Sequence, residues 1–294
     1  MSDRPLLLSV PNVSEGSDAA TIDAIGRAFA PARLLDLHTD PDHGRSVYSL
    51  AAPQGELAEA VLNGARTAIA RIDLRRHRGA HPHVGAIDVA PIVYTDETSR
   101  GAACAEALTA AALIGDELEL PVFLYGDLAT SDQHQERADI RRGGPDALAE
   151  RMRSGELQPD YGPRRPHETA GALLVTARPP LIAFNVDLVT DDVEAARRIA
   201  ARLRESGGGP PGVRAIGLHL PARGRAQVSF NIHDHTKASP AMLTKEVAKE
   251  VPVAEAELVG LAPAAAFEDF PPEIPIRDFD PERQLLENAL RSSD

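Results

Sequence analysis

The stretch SVYSLAAPQGELAEAVLNGARTAIARIDL, residues 46–74, reads as a strand followed by a helix, and it decides the fold. Ser46-Val47-Tyr48-Ser49-Leu50 is the strand. Leu57, Val61, Leu62, Ala65, Ala68, Ile69 and Ile72 then recur at 3.6-residue spacing, which is one apolar stripe of an amphipathic helix. Upstream, Leu6-Leu7-Leu8-Ser9-Val10 is a buried strand broken by Pro11-Asn12. A helix follows with Ile22, Ile25 and Phe29 on one stripe and Ser17 or Asp18 as N-cap, and Leu34-Leu35-Asp36-Leu37 is the next strand. Downstream, Ala86 to Ala90 and Ile92-Val93-Tyr94 read as strand. The order is β-α-β-β-α-β.

That order recurs. Leu181 to Phe184 is a strand, and Val193, Ala196, Ile199, Ala200 and Leu203 share a helix face. Val213 to Leu218 and Ala226 to Phe230 are strands, Leu243, Val247 and Val251 mark a helix, and Glu257 to Leu261 closes the set. Both halves have the split βαβ arrangement, in which two helices cover one face of a sheet. The fold class expected is α+β, two subdomains each with a mixed sheet covered by helices on one face and a groove between the sheets. The boundaries expected are 1–178, 179–263 and an acidic, Pro-broken tail at 264–294, read as a docking strap or dimer contact. Between the halves lie a helix (Ala102 to Leu118), a strand (Val122 to Tyr125) and a polar stretch to about Ala172. Gly207 to Gly212 follows a helix and precedes a strand, the reverse of phosphate-loop order, and reads as a connector.

With 294 residues, 43% of them hydrophobic and 26% charged, the chain is long enough to bury a core without disulfides or a structural metal. Thirty-one Lys and Arg against 44 Asp and Glu give a net charge of −13, which argues against general binding of nucleic acid or anionic membrane. The one cysteine, Cys104, excludes a disulfide framework and reads as a small buried filler. Met1-Ser2-Asp3-Arg4-Pro5 runs into a short strand without a long apolar region or cleavage site, and no window reaches 18 apolar residues without a charge. A soluble, cytoplasmic protein is expected.

Chemistry concentrates in Arg75-Arg76-His77-Arg78-Gly79-Ala80-His81-Pro82-His83-Val84-Gly85, a basic island in an acidic chain. Its arginines alone fit a solvated loop at a helix C-terminus. Its histidines are spaced by Gly79, Pro82 and Gly85, which fix an unusual backbone path, and imidazole is the side chain suited to proton transfer near neutral pH. His81-x-His83 and His233-x-His235 would each face one way on a strand and chelate a metal there, which keeps a metal-dependent hydrolase open. No G-x-S-x-G elbow supports serine-hydrolase chemistry.

Pro11-Asn12-Val13-Ser14-Glu15-Gly16, His81-Pro82-x-x-Gly85-Ala86-x-Asp88-Val89, Leu124-Tyr125-Gly126, Pro159-Asp160-Tyr161-Gly162-Pro163 and Ile182-Ala183-Phe184-Asn185 occur in that order. Together they resemble the glutamate formimidoyltransferase family, which in animals forms the N-terminal part of formimidoyltransferase-cyclodeaminase. The similarity runs from about residue 6 to residue 263. The resemblance implies two α/β subdomains with a folate groove between them, and transfer of a formimino group from N-formimino-L-glutamate to N5 of tetrahydrofolate as co-substrate. It implies no metal, and a homodimer. It places the catalytic histidine at His81, a general base for N5. It places the folate loop at Gly162, Pro163, Arg164, Arg165, Pro166, His167, Glu168, Thr169, Ala170 and Gly171, where the two arginines suit a folate glutamate tail. Arg45 aligns with a family arginine and is expected to grip a substrate carboxylate. Asn12 and Asn185 end the first strand of each repeat, either facing the groove or capping a turn. His83 is a further candidate on the substrate side.

The chain departs from the family pattern at Gly44 (commonly Asn), Ala80 (Glu), His83 (Arg) and Ala170 (an aromatic), which leaves another one-carbon donor open. A folate- or amino-acid-binding module without turnover is the remaining reading.

Overall fold

In the computed structural model, which describes residues 4–291, the opening strand is split in two. Met1 to Asp3, part of the stretch read above for a leader, lie outside the described residues. β1 (Leu6–Ser9) and β2 (Asn12–Val13) are separated at Val10-Pro11, where proline has no N–H to give a ladder. α1 (Ala19–Ala28) is capped by Asp18, whose carboxylate accepts the Ala20 N–H at 3.1 Å. β3 (Arg33–Asp40) and β4 (Arg45–Pro53) form a hairpin, followed by α2 (Leu57–Arg71) and β5 (Ile87–Val93). The chain then adds α3 (Arg100–Glu117), β6 (Val122–Leu124), α4 (Arg137–Arg141), α5 (Gly144–Ser154) and β7 (Leu173–Arg178). β1 and β2 both sit between β4 and β5, so the repeat core has the strand order β3, β4, β1 with β2, β5. β7 and β6 extend it in parallel beyond β5.

The second unit runs from Pro180, the first ending at Pro179. It holds β8 (Ile182–Leu188), α6 (Val193–Leu203), β9 (Val213–Leu220), β10 (Arg225–Ile232), α7 (Pro240–Ala248) and β11 (Val253–Val259). Its sheet is antiparallel in the order β9, β10, β8, β11, the order of the first unit's core position for position. The fold is α+β with a mixed sheet and an antiparallel sheet, and the repeat read from apolar spacing is also a repeat of strand order. The Gly207–Gly212 connector joins α6 to β9, as its place in the sequence implies.

The stripes that define the helices are the core. Ile25, Phe29, Leu57, Val61 and Ala65 are fully buried against Leu7, Tyr48, Leu50 and Ile92 of the sheet. Cys104 packs half-buried at its edge. The stretch read as polar hides two helices: α4 and α5 cover the opposite face of the added strands through Ile140, Leu148 and Met152, which meet Phe123, Val89 and Leu174. β7 serves both sides by alternation, Leu173 and Val175 toward the first core and Leu174, with Ala172 just before the strand, toward the second.

In the second unit the tail is a strap on its own core. Phe267, Phe270, Ile274, Ile276 and Phe279 pack there, and α8 (Pro281–Gln284) and α9 (Leu286–Arg291) end it. Among the described residues no helix is long and apolar enough to cross a membrane.

One buried carboxylate holds two helices together. Glu56, at the N-cap of α2, makes no side-chain capping bond. Glu106 of α3, only 4% exposed, accepts the Gly55 and Ala58 N–H groups instead, each at 2.8 Å, and places a negative charge at the helix N-terminus. Glu106→Ala strands both donors, and is expected to lower unfolding free energy by about 2–3 kcal/mol. Urea titration checks this; an unchanged midpoint at unchanged slope refutes it.

Candidate active site

The site is built where the β3–β4 hairpin meets the loop before β5. Gly44 closes the hairpin at φ +62°, and a Cβ there would lie 2.7 Å from the His77 ring and 2.9 Å from the Gly79 Cα. The Ala80 N–H donates to the Asp42 carbonyl at 3.0 Å, so hairpin and loop are one assembly. Gly44→Ala and Gly44→Asn are both expected to destabilise, by about 1–3 kcal/mol, and to lower kcat/KM. Asn tolerates the left-handed backbone but not the 2.9 Å approach, so an Asn variant as stable as the parent would show that only φ matters at this position.

Arg45 opens β4 and places its Nη1 2.7 Å from His81 Nε2. Guanidinium only donates, so Nε2 accepts, which assigns the ring proton to Nδ1. His43, 1% exposed, stacks on the same ring with centroids 5.9 Å apart. Burial pushes His81 well below the usual imidazole range, and the charges of Arg45, Arg141 and Arg137 add to it. The ring is therefore neutral at pH 7. Arg45 is itself pushed down to about 10, by burial and then by Arg141. His83 turns back: its Nδ1 lies 3.1 Å from the His81 carbonyl, and its ring packs edge-on against His77 at 4.2 Å.

Asp88 and Arg141 hold this loop. Asp88, 3% exposed, accepts the Val84 N–H at 2.7 Å and pairs with Arg141 of α4. Ser14 ties the other side, its hydroxyl donating to the Gly85 carbonyl at 2.7 Å. A Cβ on Gly85 would stand 1.9 Å from the Ala172 carbonyl, so only glycine lets the loop pass the chain entering β7.

That chain carries residues 162–171. Leu74 N–H donates to Thr169 C=O at 2.8 Å and Ala86 N–H to Ala170 C=O at 2.9 Å, which seats the second loop beside the histidine loop. Asp160 anchors its start by accepting the Leu124 N–H at 2.7 Å and the Thr130 hydroxyl. His167 shapes the turn: its Nδ1 accepts the Ala170 N–H at 3.1 Å, and its backbone pairs with Gly171. Arg164, Arg165 and Glu168 are exposed, Glu168 within 2.9 Å of Arg75, while Gly162 is exposed and Pro163, Pro166 and Thr169 are half-buried. Ala170 is fully buried in the helix-side core and offers no side-chain surface to a ligand.

The structure thus gathers His81, Arg45 and His83 in the first unit, and ties the end of the second loop, Thr169 to Gly171, to Leu74, Gly85 and Ala86 on either side of the histidine loop. Asn12 sits on β2 with its amide donating to the Val10 carbonyl at 2.9 Å, a local turn bond. Asn185 belongs to the second unit and lies inside β8, not at its end; it is 2% exposed and donates to Glu257 at 2.8 Å. Neither His-x-His pair lies on a strand, so neither has the strand geometry that would turn both rings to one metal. His81 and His83 precede β5, which starts at Ile87, and His233 and His235 follow β10, which ends at Ile232. Among the described residues neither pair belongs to a group of three close donors. Asp88, Arg137, Arg141 and His43 were not read as site residues. The i, i+4 spacing of Arg137 and Arg141 is the sequence signal that points to two of them.

Fold and cluster define a class: an α+β enzyme of repeated split βαβ units that gathers imidazoles and guanidiniums at its first sheet. The model of the formiminotransferase domain, N-terminal subdomain, matches residues 6–178, and that of the formiminotransferase domain matches residues 183–270. The chain belongs to the formiminotransferase family. It is 38% identical over 290 residues to the glutamate formimidoyltransferase of Streptococcus pyogenes serotype M1, covering 96% of this chain and 97% of that protein. The glutamate formimidoyltransferase of Thermoplasma acidophilum is 33% identical, with 90% of both chains covered. The formimidoyltransferase-cyclodeaminase of Sus scrofa is 38% identical over 90% of this chain, which spans 51% of that protein.

Proposed function

We propose that the protein transfers the formimino group of N-formimino-L-glutamate to N5 of tetrahydrofolate, with His81 as general base. The observation that carries this is the neutral His81 ring, held by Arg45 at 2.7 Å in a loop whose flanks bind the end of the 162–171 stretch. Family membership and the named relatives support the same reaction.

In this reading N5 attacks the formimidoyl carbon and its proton passes to His81 Nε2. The C–N bond to glutamate then breaks, and the departing nitrogen takes that proton back, leaving 5-formiminotetrahydrofolate and glutamate. One imidazole serves both transfers, for about 10²–10⁴-fold. Arg45 covers the Nε2 lone pair and exchanges it for a substrate carboxylate, so that binding bares the base. Arg164 and Arg165, exposed on the second loop, meet the folate glutamate tail. A cytoplasmic homodimer belongs to the same reading.

The test is to mix the purified protein with tetrahydrofolate and formiminoglutamate and follow 5-formiminotetrahydrofolate. Product is expected from this donor, insensitive to chelators, and none or far less from N-formylglutamate. Turnover lost to chelator, or confined to another donor, overturns the proposal.

A further inference from the structure

Two guanidiniums of the first unit, those of Arg137 and Arg178, hold no reacting group in that chemistry. β5, β7 and β6 run parallel, and the chain leaves β5 for α3 on one face but leaves β6 for α4 and α5 on the other. Connections that diverge in this way open a crevice at the carboxyl ends of the strands. Arg178 ends β7, Tyr125 directly follows β6, and Arg137 opens α4.

Among the described residues neither arginine forms an ion pair with a carboxylate. Tyr125 is 6% exposed, and its hydroxyl is turned toward Arg178 without a hydrogen bond of ordinary geometry among the described residues. Arg178 Nε is sealed from solvent and unpartnered, and its Nη1 gives one bond, 2.9 Å to the Pro179 carbonyl. Arg137 stands over the Tyr125 ring at 5.6 Å. Burial pushes Arg178 down to about 10, Arg137 adds to the fall, and only Tyr125 acts against it. No carboxylate is among the groups acting on it. In a chain of net charge −13 this is a cationic cluster without a carboxylate partner among the described residues, an arrangement that costs stability unless a ligand brings the counter-charge. Arg137 also depresses His81 and Arg45, so the cluster lies within electrostatic reach of the base.

We propose that Tyr125, Arg137 and Arg178 form a carboxylate-binding site that takes the glutamyl end of a substrate. The choice of a glutamyl group rests on the function proposed above; the site itself rests on two guanidiniums gathered at Tyr125 with no carboxylate partner among the described residues. Guanidinium binds carboxylate bidentately, and the phenol supplies a further donor.

The test uses the full chain, with Arg178→Met and Arg137→Gln beside the parent. L-Glutamate and glutarate are expected to raise the melting temperature of the parent and not of either variant. Ligand-free Arg178→Met is expected to melt no lower than the parent, because it sheds an unpaired buried charge. In turnover, Arg178→Met is expected to raise one KM by about ten- to a hundredfold. A rise for formiminoglutamate alone assigns the pocket to the donor. A rise for tetrahydrofolate, absent with tetrahydropteroate, assigns it to the folate tail. Equal ligand-induced shifts in parent and variants, with both KM values unmoved, overturn the site. Loss of the shift in the variants of a chain that makes no formimino product upholds the site and sinks only the reaction.

Discussion

His81→Ala is expected to keep the fold and lose about 10²–10⁴-fold in kcat/KM for formimino transfer. The ring is half-buried in a loop, outside both hydrophobic clusters of its unit, so its removal leaves the core intact. What goes is the group that carries the N5 proton to the leaving nitrogen. The parent's pH profile gives an independent check. Burial and Arg45 hold the His81 pKa well below 6.5, so the neutral form persists into mildly acidic solution and the acid limb of kcat/KM is expected below pH 6.5. Arg45→Met removes a positive neighbour and moves that limb upward. The sign for stability is the same. Near pH 6.5 and below, the unfolded chain binds a proton that the folded ring refuses, so acidification through that window destabilises the protein. A folded His81→Ala enzyme as fast as its parent would end the proposed mechanism.

The repeated fold was legible because it rests on periodicity. Ile22, Ile25 and Phe29, and Leu57, Val61, Leu62, Ala65 and Ala68, are residues that bury, and apolar spacing is enough to find them. The stretch up to Ala172 was not legible, because α4 spans only Arg137–Arg141 and its one buried residue, Ile140, gives no period to detect. Missing α4 meant missing Arg137 and Arg141, whose importance comes from long-range contacts with Tyr125 and Asp88. The histidine loop was visible as composition, yet its arrangement was not. That His81 faces Arg45 while His83 turns to His77 depends on the hairpin at Gly44 and on Asp88, 36 and 4 residues away respectively in the two contacts that set it. Asn185 was placed at a strand end because Ile182-Ala183-Phe184 is the apolar part of β8, whereas ladder pairing continues through Asp187 to Leu188.

Asp88→Ala is expected to cost about 3–5 kcal/mol, the largest effect of any single change at this site, because it leaves a charge buried without its partner. Arg141 has a side chain 11% exposed, and Asp88 is the carboxylate paired with it. The same substitution frees the Val84 N–H, a second loss that acts on the loop bearing His81. The two effects separate experimentally. Asp88→Ala combined with Arg141→Met removes the unpaired charge and is expected to regain most of the lost stability, since the coupling between buried partners is what the single variant breaks. Activity should not return with it, because the backbone of the loop still lacks its acceptor. Asp88→Asn keeps an oxygen for Val84 but no charge for Arg141, so it should resemble Asp88→Ala in stability more than in rate. Equal stability losses in the single and double variants would show that Asp88 works through its backbone contact alone, and that the ion pair contributes nothing to the site.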